Sequence, residues 1–243
     1  RIRNVAKNVL NGDITFNEPD NLEPKSFREL IYSHVNRNSW GSLGIDVALG
    51  SVIDKKATPQ EYMFLPIYIH EFFTEATRRN GEPLVKETNV LFQNEEQEST
   101  GNFFLSPIFV FGILALFILW ITYKDYSRNS RSKWLDISLF AISGISGVVL
   151  LLLWFATDHS ATAFNYNLLW AFPLNLFVLG QLFKVTVNPW FRKYIKLLVI
   201  LLCLLTLHWL IGVQVFAIGL MPLLIALGIR YIYLMNYFQQ LTS

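Results

Sequence analysis

The chain has 243 residues, 53% of them hydrophobic, with a mean hydropathy of +0.37 and a formal net charge of +2. That charge is unevenly placed: through Phe103 there are 11 Lys and Arg against 15 Asp and Glu, and from Phe104 onward 9 against 3. The balance averages an acidic, soluble first part and an apolar, membrane-type second part, so it gives no ground for a nucleic-acid partner.

The first part reads as mainly helical. In "RIRNVAKNVL", Ile2, Val5, Val9 and Leu10 share one face, and Asn11-Gly12 stops the segment. "SFRELIYSHV" opens with Ser26 and places Glu29 three residues on, the capping box in which each side chain satisfies an orphan backbone N–H. "TPQEYMFLPIYIHEFFTEATRRNG" repeats the pattern with Thr58, Pro59 and Glu61. Pro66 breaks or kinks it near Leu65, Arg78 and Arg79 suit its last turn, and Gly81 its end. "PLVKETNVLF" has the composition of a strand, and Gln93–Thr100 is a polar acidic linker.

Five apolar segments follow, near Leu105–Tyr123, Leu135–Phe155, Asn167–Phe183, Tyr194–Leu210 and Val213–Leu234. A helical span needs about 20 residues. The third and fourth fall short of that, which leaves a re-entrant pair open. Pro173, Pro222 and the glycines Gly144, Gly147, Gly219 and Gly228 are compatible with spans and permit close packing. Cys203, the single cysteine, lies inside the fourth segment and reads as a small hydrophobe.

Basic residues set the orientation. Lys124, Arg128, Arg131 and Lys133 follow the first segment; Lys184, Arg192 and Lys193 follow the third; Arg230 lies near the end of the fifth. These loops and the C-terminus are therefore expected in the cytoplasm. The soluble part, the segment around Asp158 and the turn near Gly212 share the other side. Trp120, Trp154, Trp170, Trp190 and Trp209 fall near expected span ends, as an aromatic belt requires. An extracytoplasmic domain needs a signal peptide or an upstream span, and none precedes Arg1, so an N-terminally shortened chain is expected.

The stretch "WFATDHSATAFNYNLLWAFP" carries the densest polarity of the apolar half. Two readings stand side by side. In one, Asp158 orients or charges His159 and the pair meets a lipid headgroup or an amine at the interface. In the other, Asp158 caps a helix end while Asn165 and Asn167 satisfy the start of the third span. "HEFFT" at His70 lacks the second histidine of a zinc motif, and "GSLGIDVALG" lacks the lysine of a phosphate loop, which leaves Asp46 a structural use. His34 and His208 stand alone, and there is no G-x-S-x-G. No metal, cofactor or complete catalytic set is expected within these residues.

The runs "GIDVALG…DKKATPQEYMFLPIY", "GEPLVKET" and above all "TDHSATAFNYNLLWAFP" resemble the Lnb-type lipoprotein N-acyltransferases of Bacteroidota, over nearly the whole chain. The resemblance implies a periplasmic Lnb-like domain, here its C-terminal part at 1–92. An acidic linker at 93–103 and a five-helix transmembrane domain at 104–238 follow. It implies a multi-pass protein of the bacterial inner membrane with its soluble part in the periplasm. Membrane lipids and a lipoprotein substrate are the implied partners. The implied chemistry is acyl transfer to the amine of a lipid-modified N-terminal cysteine, by a cysteine nucleophile and a histidine base. "RIR" at Arg1–Arg3 resembles the tail of the segment that holds that nucleophile, so both catalytic groups are expected upstream. Within the chain the loop motif carries over: His159 and Asp158 as auxiliary candidates, and Thr157, Thr162, Asn165 and Asn167 as candidates for binding headgroup or substrate. The alternative is a non-catalytic, membrane-anchored periplasmic binding or structural protein.

Overall fold

A computed structural model describes residues 2–20, 22–92, 102–184 and 186–240. Among them are nine α-helices: α1 (Ile2–Val9), α2 (Phe27–Tyr32), α3 (Trp40–Ala48), α4 (Pro66–Thr74), α5 (Pro107–Ser127), α6 (Lys133–Phe155), α7 (Leu179–Phe183), α8 (Pro189–Leu210) and α9 (Met221–Gln240). No strand forms among the described residues; short 3-10 turns fill the gaps. The chain divides into two compact units, one of Arg1–Ser33 with Lys55–Thr100, the other of His34–Asp54 with Gly101–Ser243.

In the first unit both capping boxes form. Ser26 Oγ accepts from Glu29 N while Glu29 Oε2 accepts from Ser26 N, which opens α2. Glu61 Oε2 accepts from the backbone N–H and the hydroxyl of Thr58, and these bonds hold its carboxyl below the usual range. This second box opens a 3-10 turn, Pro59–Phe64, and Pro66 starts α4 afresh. Leu30, Ala57, Tyr62 and Phe72 form the core of the unit. Two expectations are corrected. Helix α4 stops at Thr74, so Arg78 and Arg79 lie beyond it, where Thr77 pairs with Thr15 and Gly81 closes a separate turn. "PLVKETNVLF" makes one isolated bridge at Pro83 and then runs exposed at Val90, Leu91 and Phe92, with no strand beside it to supply a ladder. The acidic linker Gln93–Thr100 lies outside the described residues.

The second unit holds four helices long and apolar enough to cross a membrane: α5, α6, α8, and α9 with the turn before it from Ile218. The fourth apolar segment is thus a full span of 22 residues, because Pro189 at its first position starts the helix five residues earlier than the hydropathy suggested. The third segment is a different object. It runs as 3-10 turns at Tyr166–Leu169 and Pro173–Asn175, followed by the five-residue α7. It passes beside α6 from one end to the other. Thr162 bonds Leu153 O at the C-terminal end of α6, Asn175 bonds Ser143 midway, and Arg131 bonds Leu182 O just before the N-terminal end of α6.

A non-helical crossing survives at membrane depth only when protein satisfies its backbone. Here α6 offers a groove. A Cβ on Gly147 would collide with Ala171 O, and one on Gly144 would lie 2.7 Å from Leu176 Cγ. The fully buried Asn175 amide donates to Ser143 Oγ at 2.8 Å and accepts from Tyr194 of α8 at 2.5 Å, tying the crossing to two helices. The expected mainly α membrane fold is present, with its five apolar segments appearing among the described residues as four long helices and one broken crossing.

Residues 34–54, placed with the soluble part by sequence, pack with this membrane unit. Asn38 Oδ1 accepts from Ile108 N at the start of α5, and Trp40 Nε1 donates to Leu105 O. Cys203 is exposed on the outer face of α8, not buried. Trp170 is also moved from the expected belt: it is 9% exposed and donates to Asn167 Oδ1.

Candidate functional site

At the end of the membrane unit that receives residues 34–54, two amides solve a specific problem. The last carbonyls of a helix have no intrahelical partner, and those of α3 are buried. Asn165 Nδ2 donates to Val47 O at 2.8 Å and to Ala48 O at 3.1 Å. Asn167 Nδ2 donates to Asp46 O at 2.9 Å. Asn165 Oδ1 in turn accepts from Asn167 N and Nδ2, both at 3.0 Å. The buried Gln214 joins the cluster by accepting from Tyr166 N at 2.8 Å. Beside it, Gly50 N donates to Ala161 O and Ser51 N to Phe164 O, and a Cβ on Gly50 would collide with Ala163 O. The loop and the chain after α3 are thus held backbone to backbone.

Thr162 completes the scaffold: its buried hydroxyl meets Leu153 O and His159 O, both at 2.7 Å. Thr157 is exposed and bonds Leu153 O at 2.7 Å. Asp158 and His159 are exposed, and neither side chain bonds or pairs with another residue among those described. Phe164 is held at φ 54°, a costly conformation for a bulky residue, with its ring 5.4 Å from Trp154 and 55% exposed. Phe155, 72% exposed, stacks on Trp154. The result is a rigid ledge presenting a carboxylate, an imidazole and two exposed aromatic rings.

Near the opposite end lies a buried charge cluster. Arg230, fully buried on α9, donates through Nε to Asp136 Oδ1 at 2.7 Å and pairs through Nη1 with Asp125 at 2.8 Å. Ser132 donates to Asp125 from its backbone and its hydroxyl. Arg131 Nε stands 3.9 Å from Asp136, and its Nη2 bonds Leu182 O. Two acids face two guanidinium groups, so the formal charges balance, and α5, α6 and α9 are tied at one point.

A family model described as the Lnb transmembrane domain matches residues 96–241. The chain belongs to that family. No curated protein and no solved structure matches.

In this Lnb-family membrane protein the six loop residues singled out by sequence divide into two groups. Thr162, Asn165 and Asn167 turn inward and spend their polar atoms on backbone groups, on each other and on the Trp170 indole. Thr157, Asp158 and His159 stand at the surface of the ledge. Asn165 does cap the start of the third segment, by accepting from Asn167 N, and both amides also serve the C-terminal end of α3, about 120 residues away in sequence. The cluster of Asp125, Asp136, Arg131 and Arg230 was missed as a unit. Its signal was available: past Phe103 the chain has only three acids, two of them fall at or inside apolar spans, and a third such span carries Arg230.

Proposed function

We propose that this chain is the membrane-embedded part of a lipoprotein N-acyltransferase of the bacterial inner membrane, with the ledge on the periplasmic side and the C-terminus in the cytoplasm. The observation that carries the proposal is the ledge itself. An exposed carboxylate and imidazole sit beside exposed aromatic rings, on a loop locked by Asn165, Asn167 and Gly50 at the end remote from the basic loops. Family membership and the resemblance to lipoprotein acyltransferases support the same reading.

In such a reaction the acceptor amine attacks an enzyme-bound thioester. The amide forms, the thiolate leaves, and the amine's proton passes to a base. The nucleophile and its base are assigned to residues outside Arg1–Ser243; Cys203 is unsuited, standing within a span. The ledge contributes recognition. Asp158 attracts the ammonium of the acceptor, His159 bonds the headgroup or relays a proton, and Phe155 and Phe164 meet the start of the acyl chains.

The test is complementation. The full-length protein is expressed in cells depleted of lipoprotein N-acylation, and the N-terminal lipopeptide of a reporter lipoprotein is weighed by mass spectrometry. A mass increase of one acyl group supports the assignment. An unchanged free amine, with the protein present in the membrane, favours an anchored binding or structural protein.

A further inference from the structure

We infer that the cleft between the C-terminal end of α5 and the N-terminal end of α6 binds the phosphate of an anionic phospholipid. The cleft encloses about 320 Å³ and is lined by Trp120, Lys124, Asp125, Arg128, Arg131 and Trp134, among others. Its one acid does not oppose an anion, because both carboxylate oxygens of Asp125 are engaged inward by Arg230 and Ser132. Two of its cations are unpaired, and the third, Arg131, is paired with Asp136 but keeps a donor to spare. Lys124 and Arg128 form no ion pair among the described residues, and the Lys124 ammonium is placed 4.3 Å above the Trp120 ring. The Arg131 side chain is 3% exposed, and its Nη1 has no hydrogen-bond partner among the described residues. Phe117 joins Trp120 and Trp134, each 6.2 Å from its ring, as an exposed aromatic wall.

Membrane orientation alone accounts for basic residues on this loop, but it requires neither a cleft nor a buried guanidinium with a spare N–H. The combination of two unpaired cations, an aromatic wall at a span end and the donor left over on Arg131 matches a phosphodiester with its glycerol and first methylenes against the rings. The aromatic wall selects a lipid over free phosphate. The inference does not depend on acyl transfer, since the cleft lies at the end opposite the ledge.

The experiment uses the full chain in nanodiscs of phosphatidylcholine, titrated with phosphatidylglycerol and followed by native mass spectrometry of retained lipid. The expected result is preferential retention of phosphatidylglycerol, weakened by about fivefold for each cation removed in K124Q and R128Q. Arg128 is exposed and Lys124 half-buried, and an unchanged unfolding midpoint in pure phosphatidylcholine confirms that the variants fold. No preference for the anionic lipid, or a preference unchanged in K124Q/R128Q, overturns the inference. Displacement of the lipid by inorganic phosphate would reassign the cleft to a soluble anion and overturn the lipid assignment.

Discussion

Asn167 shows how far a single residue can be read from sequence. An amide beside an apolar run announces a buried need, yet its main partners, the carbonyls of Asp46 and Val47, are 121 and 120 positions away. No local pattern encodes such a pairing. Asn167→Ala should take the side-chain donor from the Asp46 carbonyl of α3, while Asn165 still serves Val47 O, and cost about 1–3 kcal/mol. Hydrogen exchange at the end of α3 and the thermal midpoint in detergent check this. Arg230 is the converse case: alone it reads as one more basic residue near a span end, while the geometry makes it the hub of two aspartates. Arg230→Met should destabilise by about 3–5 kcal/mol because two buried carboxylates lose their partner. Adding Asp125→Asn and Asp136→Asn to that variant should recover most of the loss. Arg230→Lys should recover little, since one ammonium lacks the fork that reaches both acids.

Among the elements, three of the four long helices were legible because length and apolarity suffice to define a span; α8 was read as too short because its first turns, from Pro189, are polar. The third crossing was legible as apolar but not as broken, because hydropathy reports the solvent around a segment and not the path of its backbone. The cues were Pro173 and Asn175 inside the segment and Gly144 and Gly147 inside its neighbour; each alone is common in a span. Gly147→Val should force the crossing off α6 and cost about 1–3 kcal/mol or more. Gly112→Ala, on α5 with open space around it, should change stability by no more than about 1 kcal/mol. Differential scanning of the two variants in the same detergent separates a general aversion to larger side chains from the specific groove.

For the membrane unit, segregation of basic residues was readable from counts, and the structure gathers Lys124, Arg128, Arg131 and Lys133 at the end opposite the ledge. The membership of residues 34–54 in the membrane unit was not readable, since their composition resembles that of the soluble part and their contacts are all distant in sequence. The proposed orientation gives a direct expectation. In a background with Cys203→Ser and the proposed nucleophilic cysteine also replaced, Asp158→Cys should react with a membrane-impermeant thiol reagent in cells with a permeabilised outer membrane. Asn129→Cys should react only after lysis.

The functional claim rests on His159 more than on any other residue, because it is the exposed imidazole on a ledge that three inward-turned neighbours hold in place. Its measurement is lipopeptide mass spectrometry on cells carrying full-length wild-type protein or the His159→Ala variant at equal membrane levels. The account predicts a fall in N-acylated lipopeptide of about 10²-fold, the scale set by losing a positioned proton-transfer group, with the unfolding midpoint unchanged. Acylation equal to wild type at equal protein level would contradict it and leave the ledge a structural joint.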